Sequence, residues 1–175
     1  MIYIDMDGVL ANLTEGILTR YNKEFNTDFK ESDITYWDIN ECLDKRRDIF
    51  EYIQEEGFCS SLNPYPFAKE FVKSLKDNNL DYYFLSSAFD LPTGANDKAT
   101  WLRDTLEDNP KKLITCDKLF KHVILKGGDI MLDDNPDIIE RCKTKTEYAF
   151  LVKRTYNEGI MGLEDILEEI LKINK

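Results

Sequence analysis

Three short apolar runs in this chain each end on polar or acidic residues, and that arrangement restricts the fold more than any other feature. They are Ile2-Tyr3-Ile4 before Asp5, Tyr82-Tyr83-Phe84-Leu85 before Ser86, and Ile130-Met131-Leu132 before Asp133. Continuous apolar runs of this length read as strands buried on both faces, as in parallel sheets. Tyr148-Ala149-Phe150-Leu151-Val152 reads as a further buried strand and Leu113-Ile114-Thr115 as a shorter one. Helical stripes lie between them. Leu13, Ile17, Tyr21 and Phe25 recur at four-residue steps behind Asn12, with Glu15 placed as in a capping box. Phe67, Phe71 and Leu75 form a second stripe, and Leu163, Ile166, Leu167, Ile170 and Leu171 a third. The alternation predicts an α/β fold with a Rossmann-like, mainly parallel sheet flanked by helices.

Residues 15–62 interrupt that alternation. No strand separates the first helix from the next. The stretch carries an irregular aromatic run, Ile34-Thr35-Tyr36-Trp37-Asp38-Ile39, and then a helix expected around Leu43, Phe50 and Ile53. Asn63-Pro64-Tyr65-Pro66 marks re-entry into the core. The expected organisation is a core of residues 1–14 and 63–175 with a small helical insertion at 15–62. A chain of 175 residues suits one domain of that design.

The formal net charge of −11 argues against a nucleic-acid polymer as partner, because such binding is driven by phosphate neutralisation. A single small phosphate ester still binds where the site carries its own cation. No apolar run approaches the roughly 20 residues of a membrane span. Met1 leads into the first strand without a basic or long apolar leader, and Cys42, Cys59, Cys116 and Cys142 form no C-x-x-C pair. Buried, reduced thiols and a cytoplasmic location are expected.

The strand ends carry the chemistry. Asp5-Met6-Asp7-Gly8 sets two acids at i and i+2 before a glycine that permits a sharp turn. Leu85-Ser86-Ser87 and Leu132-Asp133-Asp134-Asn135-Pro136 follow two other strands, the last with Asn135 as helix cap and Pro136 as first helical residue. Each alone reads equally as a polar turn. Together they fall at the carboxyl ends of predicted parallel strands, where ligands bind in open α/β sheets. Neighbouring strands would bring the acids into one crevice, at a repulsion of about 4 kcal/mol per pair at 4 Å and an effective dielectric of 20. Such a cluster calls for a hard, oxygen-bound cation, and Mg²⁺ also accepts substrate phosphate.

Asp5-Met6-Asp7-Gly8-Val9-Leu10, the Leu85-Ser86-Ser87 strand end, an upstream lysine and Met131-Leu132-Asp133-Asp134 resemble the four motifs of the haloacid dehalogenase-like superfamily. Within it the chain is similar to the 5′(3′)-deoxyribonucleotidases. Gly57-Phe58-Cys59-Ser60-Ser61-Leu62-Asn63-Pro64, Phe67-Ala68-Lys69-Glu70 and Lys98-Ala99-Thr100-Trp101-Leu102 carry that second likeness.

The resemblance implies a Mg²⁺-dependent phosphomonoesterase for deoxynucleoside monophosphates. Asp5 would be the nucleophile and Asp7 the general acid and base. Ser86 and the backbone near Ser87 would hold the phosphoryl group. Mg²⁺ would sit on the Asp5 carboxylate, the Asp7 carbonyl and Asp134, with Asp133 ligating through water or orienting its neighbour. Lys118 and Lys121 both qualify as the phosphate-binding lysine. Lys121 is preferred for its position ahead of Asp133. His122, the only histidine, is expected at the surface. The insertion would act as a cap, with Tyr36, Trp37 and Phe58 stacking on a base or closing the pocket, or else forming the cap's own core. Lys45, Arg46 and Arg47 read as a solvated helix face. A phosphatase for a sugar phosphate or another small ester, and a non-catalytic binding module of the same fold, remain open beside this reading. A dehalogenase fits less well, since that chemistry needs no metal.

Overall fold

The computed structural model describes residues 1–88 and 93–174. In chain order its regular elements are β1 (Ile2–Ile4), α1 (Leu13–Phe25), α2 (Phe50–Ile53), α3 (Ala68–Asp77), β2 (Tyr82–Ser86), α4 (Gly94–Thr105), β3 (Leu113–Thr115), α5 (Lys121–Ile124), β4 (Ile130–Asp133), α6 (Pro136–Lys143), β5 (Tyr148–Leu151) and α7 (Leu163–Ile173). Every predicted strand is present. The strands form one parallel sheet in the order β3-β2-β1-β4-β5, so the α/β architecture is as expected. Ile4 pairs with Phe84 on one side and Leu132 on the other. The next residue of β1's chain, Asp5, therefore stands level with Leu85 and Asp133, and three polar strand ends open on one rim.

The helices pack as their stripes predict. Ile17, Leu18 and Tyr21 of α1, Phe71, Val72 and Leu75 of α3, and Leu163, Ile166, Leu167 and Ile170 of α7 are buried. Asn12 caps α1 by accepting the Glu15 N–H at 3.0 Å. Glu15 does not return the bond; its carboxylate takes Asn63 Nδ2 at 3.3 Å instead. A side chain on Gly16 would stand 2.3 Å from Leu62 Cδ2, so its absence lets the later segment lie against α1.

Between α1 and α3 the chain has little periodic structure. It makes 3₁₀ turns at Glu31–Asp33, Ile39–Glu41 and Cys59–Ser61 and the single turn of α2. Side chains organise it: Asn22 Oδ1 accepts from the Phe29 N–H at 3.0 Å, and Asn40 Oδ1 from the Ile49 N–H at 3.1 Å. Ile34, Ile39, Leu43, Ile49, Tyr52, Ile53 and Phe58 are buried there. The helix expected around Leu43 shrinks to α2, and Lys45, Arg46 and Arg47 precede it. They are solvated as expected, with Arg47 partly covered, but lie outside any helix, and they ion-pair with Glu41 at 2.9 Å, Asp44 at 2.6 Å and Glu24 at 2.8 Å. The two ends of the segment meet, with Asn12 N donating to Asn63 O and Tyr65 N to Leu10 O, both at 2.8 Å.

The cysteines are free thiols. Cys59 and Cys142 are buried as expected, whereas Cys42 and Cys116 are partly exposed. Among the described residues no helix is long and apolar enough to cross a membrane.

Candidate active site

The turn after β1 is built from its own backbone. Met6 is buried, and its carbonyl accepts the Val9, Leu10 and Ala11 N–H groups at 3.2, 2.8 and 2.8 Å. Gly8 occupies φ +71°, and a Cβ there would lie 1.9 Å from Asp134 Oδ2 and 2.8 Å from the Tyr156 hydroxyl. Glycine is thus required twice, by conformation and by the close approach of Asp134. Arg154 fastens the same turn, its Nη2 donating to Val9 O at 2.8 Å and its Nε to Gly8 O.

Asp5, Asp133 and Asp134 are all buried, and each offers an oxygen within 4.8 Å of the others. Lys121, also buried, sets its ammonium 2.9 Å from Asp5 Oδ1 and 2.8 Å from Asp133 Oδ2. Asp133 Oδ1 accepts the Asn135 N–H at 2.9 Å, and Asn135 caps α6 through the Asp137 and Ile138 N–H groups, as its place before Pro136 predicts. Tyr156 donates its hydroxyl to Asp134 Oδ2 at 2.5 Å, and Asn157 Nδ2 donates to the Asp134 carbonyl at 2.8 Å. Asp7 meets the ammonium of buried Lys98, which also lies 3.2 Å from Ser86 Oγ.

The charges do not balance. Three carboxylates face one ammonium at the triad. Burial pushes the Asp134 carboxyl well above the usual carboxylate range, and Asp133 and Asp5 push it further. Burial raises Asp133 to about 6 against the pull of Lys121. Asp7 is raised too, by burial, with Lys98 opposing. Burial works against a charged Lys121, but Asp133 and Asp5 outweigh it and hold the ammonium protonated. Asp5 Oδ1 is buried and accepts no aligned hydrogen bond among the described residues. A hard divalent cation suits this all-oxygen set and would complete the charge that Lys121 alone leaves unbalanced.

The triad forms the floor of a cavity of about 760 Å³. Asp7, Ser87, Cys116 and Lys118 also line it, and Trp37, Ile39, Ile49, Phe50 and Ile53 form an apolar wall from the 15–62 segment. The structure thus brings Asp5, Asp7, Ser86, Ser87, Lys121, Asp133 and Asp134 together and leaves Lys118 exposed at the rim. Trp37 is half exposed and meets the Tyr156 ring edge-on at 5.5 Å. Tyr36 is 64% exposed and outside the cavity lining. Phe58 takes the second of its two readings, the cap's own core: it is fully buried, with the Arg20 guanidinium 4.4 Å from its ring centroid, and it does not line the cavity. His122 does not line the cavity. Sequence reasoning missed Lys98, Phe50, Arg154 and Tyr156 as site residues. Lys98 stood in a recognised segment, but a lysine in a helix ordinarily reads as solvated.

Sheet order and converging carboxylates together define the class, an α/β fold of the haloacid dehalogenase-like kind with a candidate metal centre at its strand ends. The model of the family described as "5′ nucleotidase, deoxy (pyrimidine), cytosolic type C protein" matches residues 1–167, and the chain belongs to that family. It is a hydrolase of the 5′-nucleotidase type. A Bacillus subtilis protein named 5′(3′)-deoxyribonucleotidase is 27% identical over 176 residues, covering 98% of each chain. A Staphylococcus epidermidis protein provisionally given the same name is 28% identical over 180 residues, covering 99% of this chain and 97% of its own. Among solved structures, one provisionally titled a β-phosphoglucomutase from Thermotoga maritima superposes with a TM-score of 0.57 over 98% of both chains at 15% identity, a likeness of fold alone.

Proposed function

We propose that the protein dephosphorylates deoxynucleoside monophosphates, with Mg²⁺ as cofactor and Asp5 as covalent nucleophile. The observation that carries this reading is the buried Asp5, Asp133 and Asp134 triad, its oxygens within 4.8 Å of one another, on the floor of a cavity with an apolar far wall. Phosphate binds at the floor and a base against the wall. The names of the relatives in Bacillus subtilis and Staphylococcus epidermidis support the same substrate class.

The Asp5 carboxylate, the Asp7 carbonyl and Asp134 would hold Mg²⁺, with Asp133 ligating through water or orienting its neighbour, and the ion would supply positive charge against the phosphoryl oxygens. The Asp5 carboxylate attacks phosphorus, and the bond from phosphorus to the nucleoside oxygen breaks. Asp7 gives its proton to that departing oxygen, a task suited to a carboxyl whose burial favours the protonated form. Asp7 then takes a proton from water as the water attacks the aspartyl-phosphate, releasing phosphate and restoring Asp5. Lys121, held between Asp5 and Asp133, and the hydroxyl of Ser86 steady the transferring group. Ser87, at the cavity wall, offers its backbone N–H.

Residues 15–62 serve as a small cap on the core of residues 1–14 and 63–175. Trp37 and Phe50 are its cavity-facing aromatics and take the base by stacking. Action on the cytoplasmic nucleotide pool completes the proposal. A panel of deoxynucleotides, ribonucleotides and sugar phosphates, assayed with Mg²⁺ and with EDTA, tests it. Turnover should favour deoxynucleotides, vanish in EDTA and vanish in Asp5→Asn. A sugar-favouring profile or activity that survives chelation would remove the reading.

A further inference from the structure

Tyr156 lies in the polar loop after β5, a segment that sequence patterning leaves without a role. Its hydroxyl donates to Asp134 Oδ2 at 2.5 Å, and its neighbour Asn157 holds the Asp134 carbonyl at 2.8 Å. The loop therefore grips Asp134 at both side chain and backbone. The hydroxyl also stands where a Cβ on Gly8 would be only 2.8 Å away, so it is wedged between the Asp7-Gly8 turn and the acid. On its other side the Tyr156 ring receives Trp37 edge-on, with ring centroids 5.5 Å apart and planes at 77°. Trp37 belongs to the 15–62 segment, and both rings line the cavity.

We infer that Tyr156 is a positioning residue that fixes the Asp134 carboxylate for its cation, and that Trp37 braces it, so the segment over the cavity and the carboxylate cluster are mechanically joined through one phenol. A carboxylate with one oxygen held by a hydroxyl presents the other in a defined direction. Partners of this kind commonly set metal affinity by 10- to 100-fold. The aromatic contact works in the same direction: a ring edge-on against another restricts its rotation, and the hydroxyl's aim follows the ring. The inference rests on the reading of Asp134 as a Mg²⁺ ligand. It concerns affinity for the ion and the order of the wall, not the chemical steps.

The test is a calorimetric titration of MgCl₂ into substrate-free wild type, Tyr156→Phe and Trp37→Leu, with thermal melts to establish folding. Tyr156→Phe keeps the ring and its contact with Trp37 but loses the hydroxyl, and should bind Mg²⁺ about 10- to 100-fold more weakly. Trp37→Leu should bind several-fold more weakly. A second measurement needs no Tyr156 variant: Mg²⁺ should change the tryptophan emission of the wild type, and the change should be absent in Trp37→Leu. Wild-type affinity in Tyr156→Phe overturns the positioning role. Wild-type affinity in Trp37→Leu, or a wild-type emission unmoved by bound Mg²⁺, overturns the brace. A wild type that takes up no Mg²⁺ ends both this inference and the metal reading beneath it.

Discussion

The Lys121 ammonium and the Asp5 carboxylate form a buried ion pair of 2.9 Å at the carboxyl end of the central strand. The lysine touches Asp133 as well, so it is the one cation that spans the nucleophile candidate and its acidic neighbour among the described residues. Replacing it with methionine leaves buried carboxylates uncompensated. Lys121→Met should lose at least about 100-fold in kcat and about 3 kcal/mol of stability without metal, measured by steady-state kinetics and thermal melts. Lys118→Met, at the exposed rim, should keep kcat within a few-fold. The reverse ranking would show that the phosphate-binding lysine has been misassigned.

Gly8 is the narrowest point of the site. Its φ of +71° disfavours any side chain, and a methyl group would overlap Asp134 Oδ2 at 1.9 Å. Backbone strain of this kind costs about 1–3 kcal/mol. Asp134 must also move, so Gly8→Ala should lose Mg²⁺ binding by calorimetry as well as stability. A Gly8→Ala protein that binds Mg²⁺ like the wild type would mean that Asp134 is not a ligand.

The strands were legible as continuous apolar runs, and β1 and β4 lead into Asp5, Asp133 and Asp134, which line the cavity. Asp5, Ser86 and Asp133 could be placed on one rim from the strand ends alone, since strand order in an open sheet does the rest. The 26–62 stretch was not legible in the same way. Its turns are tied by Asn22 and Asn40 side chains, which leave no periodic trace. Phe58 illustrates the limit at single residues: an aromatic in an insertion suits a base or a core equally, and only packing against Gly16's side of α1 and beneath Arg20 decides for the core. Tyr156 and Lys98 act across the chain on Asp134 and Asp7, and no local pattern marks a residue whose partner is distant in sequence.

Phe50 presents half its surface to solvent and lines the apolar wall of the cavity. An exposed aromatic on a one-turn helix contributes little to stability, so truncation should be tolerated. Stacking of a base on an aromatic ring is worth about 1–3 kcal/mol. Phe50→Ala should therefore raise KM for deoxynucleotides by about tenfold or more, while glycerol phosphate, which has no base, is hydrolysed with an unchanged KM. Equal losses on both substrates would move the base-binding surface elsewhere in the cavity.

The carboxylate cluster should also make stability depend on pH in a definite direction. Burial raises Asp133 to about 6 and moves Asp134 and Asp7 the same way, above the unfolded value near 4. The folded protein then binds more protons than the unfolded chain between those values. Without metal, its stability falls as pH rises from about 4 through about 6. Glu24 and Asp104 are lowered instead, by surface partners, and shift stability oppositely. Comparison with Asp134→Asn cancels them, because that variant keeps both. Metal-free Asp134→Asn should be the more stable protein at about pH 7.5, with the gap closing toward about pH 4. Saturating Mg²⁺ should raise the wild-type melting temperature more at about pH 7.5 than at about pH 5, since the ion competes with protons for the same oxygens, and should do little for Asp134→Asn. Thermal melts across this range decide the matter: a gap that does not change with pH would show that Asp134 carries no strained charge in the folded protein.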